Sequence, residues 1–201
     1  MPKQTVNATS AANTAPDHRL TVVEVLGLLV ADGLVAKVEA DALVAECRLK
    51  RLTAHPLAIV AEQKWKSLLP PFRPLTLDDL TEWFAVKVEL AYYHIDPLKI
   101  DFTAVTDVMS SAYATRFGIL PVLVTAREIV VATTEPFLRD WEKEISAINK
   151  KEIRRVIANP VDVGRYLVEV YNRARSVKKA TQLGGQSAGL SSFEQLVELG
   201  K

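Results

Sequence analysis

Residues 119–134 read ILPVLVTAREIVVATT, and the reading of this stretch decides the fold. Two β-branched runs flank Thr125-Ala126-Arg127, which predicts a β-hairpin. Just downstream, Glu135-Pro136 is expected to open a helix running to about Asn149, with Phe137, Leu138, Trp141, Ile145 and Ile148 on one face. The segment KEIRRVIA (151–158) alternates and predicts a third strand. Asn159 as N-cap and Pro160 at the first helical position then start a helix expected to reach about Arg175. Upstream, Thr76 starts the helix LDDLTEWFAVKV, Tyr92 to Ile95 suggests a short strand, and Phe102 to Phe117 predicts a helix stopped by Gly118. The order β-β-α-β-α after an initial helix predicts an α+β class, a small three-stranded antiparallel sheet packed with helices.

The N-terminal half reads differently. Residues 1–18, rich in Ala, Thr, Asn and Ser without periodicity, predict a disordered tail. In LTVVEVLGLLVADGLVAKVEADALVAECRLKRL (20–52), Val22 to Asp32 predicts a helix, and Gly33 sits where a C-cap falls. A second helix is expected over roughly Glu39 to Leu52, so 19–69 reads as a helical subdomain built on a helical hairpin. The segment HPLAIVAEQKWKSLL is ambiguous, and PPFRP suggests a Pro-rich linker at 70–75 and the main subdomain boundary. The α+β domain is then 76–176. A Gly/Ser/Gln-rich linker is expected over 177–190, and 191–201 reads as the start of a following segment.

Composition narrows the function classes. Twenty-five Lys and Arg oppose 24 Asp and Glu, a formal net charge of +1. No global field favours nucleic acid or a membrane, so neither nucleic-acid binding nor direct membrane insertion is expected. Cys47 is the single cysteine, which excludes an intramolecular disulfide and suits a reducing cytoplasm. The sequence contains no GxxxxGK[ST], GxGxxG or GxSxG motif, and His18, His55 and His94 lack metal-ligand spacing. No catalytic residue and no metal site is expected. Three basic clusters, Arg48 to Arg51, Arg154-Arg155 and Arg173 through Lys179, read first as solvated surface and second as an anion-binding or acidic-partner surface.

The ordered combination AYATRFGILPV, EIVVATTEPF and IRRVIANPVDVGRYLVEVYN, with HIDPLKIDF upstream, resembles the N-terminal domain of bacterial type II secretion and type IV pilus assembly ATPases. The resemblance covers about residues 76–175 well and 20–55 loosely. It implies a non-catalytic docking and regulatory region, cytoplasmic and peripheral at the inner membrane through partners. The implied partners are the cytoplasmic domain of an inner-membrane platform protein and the chain's own hexameric ATPase core. ATP and Mg belong to that core, whose phosphate loop this chain does not carry.

Some such N-terminal domains bind cyclic di-GMP, which makes a second-messenger sensor the alternative reading. Setting that motif's second glycine on Gly33 puts its aliphatic pairs on Leu29-Val30 and Leu34-Val35. Its arginine then falls on Glu24, its first glycine on Leu26 and its glutamine on Cys47. Glu24 would repel a phosphate and Leu26 would block close backbone approach. Gly33, Arg48 and Arg51 remain the weak candidates for such a site, and cyclic di-GMP binding is disfavoured.

Overall fold

The computed structural model describes residues 17–50 and 53–186, with side chains of the last helix as far as Val177. The expected N-terminal tail, apart from its last two residues, and the expected segment 191–201 lie outside the described residues. Arg51 does too.

Thr21 and Glu24 form a capping box that starts α1 (Val22–Ala31). Gly33, at φ +70°, reverses the chain into α2 (Lys37–Lys50). The ambiguous segment resolves into α3 (Pro56–Glu62), with His55 as N-cap and Pro56 in the first turn. A second capping box, Thr76 with Asp79, starts α4 (Leu77–Lys87). These four helices share one core around Val25, Leu29, Leu57, Leu80 and Phe84. The Pro-rich segment therefore does not divide the two cores. α4 packs on α3, because Leu80, Phe84 and Ala85 recur at helical spacing on the face turned towards it. Residues 65–75 form a hairpin excursion within the helical unit, in which Ser67 N–H donates to Arg73 O and Leu75 N–H to Trp65 O.

The second unit holds β1 (Ala91–Tyr92), α5 (Phe102–Val108), α6 (Ser111–Phe117), β2 (Ile119–Val124), β3 (Glu128–Thr133), α7 (Asp140–Asn149), β4 (Glu152–Ile157) and α8 (Pro160–Gln186). The fold is α+β as expected, but the sheet is four-stranded and mixed, in the order β1-β4-β3-β2. Only the β2–β3 hairpin is antiparallel. β3 and β4 run parallel because α7 returns the chain to the starting end of the sheet, and a strand-helix-strand unit delivers the second strand in the first one's direction. β1 joins parallel to β4. Ile129 through Thr133 are all buried, as befits a central strand covered on both faces.

Three further boundaries differ from expectation. The helix foreseen over 102–117 is broken at Met109, whose backbone is extended, and Ser110 caps a fresh helix. α7 begins at Asp140 rather than Glu135, because Glu135 is recruited elsewhere. α8 continues to Gln186, so the first ten residues of the expected 177–190 linker are helical. Propagating an existing helix adds one hydrogen bond per residue fixed, and no proline follows Pro160 to stop it.

Phe84 is fully buried in the helical core. Phe84→Ala is expected to cost about 3–5 kcal/mol, the range for large cavities. Chemical denaturation monitored by tryptophan fluorescence will measure it.

Candidate functional site

The two cores meet at a joint built by residues 17–21 and the ends of the parallel strands. Asp17 reaches across to the start of α7, where its Oδ2 accepts the N–H groups of Arg139 and Asp140, each at 2.8 Å. Arg139, the N-cap position of that helix, makes no capping bond of its own, so the cap comes from over a hundred residues away. Burial acts to raise the Asp17 carboxyl, but the two N–H donors and the neighbouring Arg139 hold it below the ordinary range. His18 stacks on Phe137 with ring centres 4.8 Å apart and bonds to Glu24 at 2.7 Å. Phe137 stands edge-on to Phe84, 6.4 Å away, which carries the contact into the helical core. Arg19 donates to the carbonyl of Arg116 at 2.7 Å.

Glu135 is the centre of the joint. It is 6% exposed, and its Oε2 accepts the backbone N–H of Leu20 at 2.8 Å. Burial pushes its carboxyl above the usual range, partly offset by that N–H and by Arg19. One residue back, the Thr134 carbonyl is 3.0 Å from His55 Nε2. His55 Nδ1 accepts the Leu57 N–H at 3.3 Å, so Nε2 carries the proton and donates to Thr134. Burial lowers His55 to about 4, against a partial rise from the Thr134 carbonyl, and the ring is neutral at physiological pH. Gly118 closes the far side. At φ +63° it caps α6, and a Cβ there would stand 2.9 Å from Thr134 Oγ1, so both backbone and space require glycine.

A cleft of about 400 Å³ opens over these groups, lined by Arg19, Thr21, His55, Thr134, Glu135 and Pro160 among others. It lies beyond the carboxyl ends of β3 and β4, where parallel sheets place ligands, and beside the start of α8. Asn159 caps α8 and also donates to Asp78 of α4 at 2.8 Å, which ties the two units once more. The groups are positioned for holding, since each polar atom of Glu135 and His55 named above is spent on a partner across the joint.

The residues singled out from sequence do not converge. Gly33 is exposed in the α1–α2 turn, and Arg48 is exposed near the far end of α2, about 16 Å along the axis from Lys37. Arg51 lies outside the described residues. Glu24 caps α1 and bonds to His18, and Leu26 is buried, so both serve packing. Cys47 is half-buried, and burial raises its thiol. Among the described residues no cluster of His, Cys, Asp or Glu could hold a metal ion. Among the described residues of the basic clusters, Arg154 pairs with Glu128 at 3.3 Å, Arg155 with Glu142 at 2.8 Å, and Arg173 with Glu169. Sequence reasoning missed Asp17, His55 and Glu135. A signal existed for one of them, because a carboxylate that follows a wholly apolar strand and precedes a proline has little route to solvent.

Residues 88–177 match the MshEN domain, a span that begins just after α4. The type IV pilus assembly ATPase TfpB of Acinetobacter baylyi is 34% identical over 152 residues, 75% of this chain. The chain spans about a quarter of that relative, 26% of its length. Among solved structures, MshE with cdg aligns at TM-score 0.49 and 15% identity, over 76% of this chain and all of that one. The N-terminal domain of XpsE aligns at TM-score 0.37 and 10% identity, over 75% of this chain and 96% of that one.

The joint makes acid sensitivity a prediction. His55 binds a proton at about 4 when folded and at 6.5 when unfolded, so the unfolded chain takes up more protons between those values. The stability it contributes is complete above about pH 6.5 and is lost as pH falls towards 4, up to about 3 kcal/mol in all. Glu135, raised, acts in the opposite sense, losing stability as pH climbs past the ordinary carboxylate range. His55→Gln keeps an N–H for Thr134 and removes the titration. Its stability relative to the parent protein is therefore expected to rise on acidification, read by urea denaturation near neutral pH and near pH 4.5.

Proposed function

We propose that this chain, an N-terminal domain of the secretion and pilus-assembly ATPases, serves as a docking and regulatory module and performs no catalysis itself. The observation that carries the reading is the joint. α8 starts at the cleft, is tied to α4 through Asn159 and Asp78, and extends for 27 residues, about 40 Å. A displacement imposed on the helical unit is thereby delivered to one end of a long rigid rod. In this reading the platform partner, the cytoplasmic domain of an inner-membrane secretion or pilus protein, docks on the helical unit, and α8 leads towards a hexameric ATPase core. ATP and Mg act at that core. The chain works in the cytoplasm, at the inner membrane, and among its described residues no helix is long and apolar enough to cross a bilayer.

Two titrations test this. Calorimetry of the 201-residue chain against the purified cytoplasmic domain of its own platform protein is expected to show saturable binding, and its absence at low salt would refute docking. Titration with cyclic di-GMP is expected to show nothing tighter than the millimolar range. Glu24 and Leu26 are committed to capping and packing, and each missing charge-assisted bond is worth roughly 1.5–3 kcal/mol. A micromolar constant would promote the sensor reading.

A further inference from the structure

We infer that the 65–75 hairpin is a contact for an anionic membrane surface, independently of which protein docks on the helical unit. Its tip presents Leu68, Leu69 and Phe72 at 51%, 46% and 58% exposure, separated by two exposed prolines. Three large apolar side chains adjacent in one turn differ from the scattered exposed hydrophobics that any surface carries. The tip is held in place. Leu68 N–H donates to the Leu34 carbonyl at 3.0 Å, Leu69 N–H to Ser67 Oγ at 3.0 Å, and Phe72 N–H to Leu69 O at 2.9 Å. Phe72 takes φ +57°, which bulky side chains rarely adopt, and its ring lies outside the core.

Along the hairpin itself the charge has one sign. Lys64, Lys66 and Arg73 are all exposed, and residues 63–75 contain no carboxylate; Glu62 closes α3 before them. Trp65, half-buried at the base, belongs to the residue type that favours the bilayer interface. An apolar tip with a cationic collar matches the two requirements of interfacial binding: burial of the tip below the headgroups, and lysine and arginine stems that let their charges rest at the phosphates. A convex knob of this size suits a lipid surface better than a protein face, which needs a broad complementary patch. The net charge of +1 hid this, because the cations gathered here are balanced by carboxylates elsewhere in the chain. The contact is interfacial and leaves no segment spanning the bilayer.

Co-sedimentation of the whole chain with phosphatidylcholine vesicles containing about a third phosphatidylglycerol tests the inference. Binding is expected, weakening as salt rises and at least about tenfold weaker on pure phosphatidylcholine. Leu69→Ser with Phe72→Ser is expected to weaken it at least about tenfold. Val38→Ser, at a side chain 80% exposed on α2, leaves it unchanged. Unchanged urea midpoints verify that each variant folds. Absence of vesicle binding, or equal binding by the tip variant, overturns the inference. So does a tip variant that loses only its affinity for the platform protein, which makes the hairpin a protein contact.

Discussion

A buried carboxylate needs hydrogen bonds, and the arrangement of this chain depends on how Glu135 obtains one. Its acceptor is satisfied by the N–H of Leu20, a residue otherwise belonging to the helical core. Taking a carboxylate out of water without a donor costs several kcal/mol, so the segment 17–21 is held against the strand ends as firmly as the carboxylate is buried. Asp17, His18 and Arg19 then find partners on α7, Phe137 and the end of α6 because the backbone between them is already fixed.

The same joint ties the two cores together. Each has its own apolar cluster, and between them run directional contacts: a helix cap supplied from afar, a neutral histidine bridging two loops, and an asparagine that caps α8 while holding Asp78. Directional bonds fix an orientation more sharply than apolar contact, which tolerates sliding. The proposed function, passing a displacement from a docked partner to a long helix, would draw on that property more than on a reactive group.

Much of the fold was legible. The periods of residues 119–134 and 151–158, the Asn159-Pro160 start and the helix start at Thr76 are local signals, and local chemistry fulfils them. The sheet's direction was less so, since alternation marks a strand and says nothing about its neighbour. The crossover through α7 held that information, and an antiparallel sheet was expected where parallel pairs formed. At 70–75 three prolines suggested a boundary, yet Leu75, Leu80 and Phe84 belong to the core on the other side.

What the sequence determined by itself was set by neighbours within a few residues: the strand periods, several helix starts, net charge and the absence of a phosphate-loop motif in these 201 residues. What only the tertiary structure decided was which polar groups meet. Glu135 and Leu20 stand 115 positions apart, and His55 and Thr134 stand 79 apart. Burial of these groups is a property of the assembled cores, as is the exposure of Leu68, Leu69 and Phe72. A side chain's distance from water is fixed by the packing of the whole chain, and no local pattern encodes it.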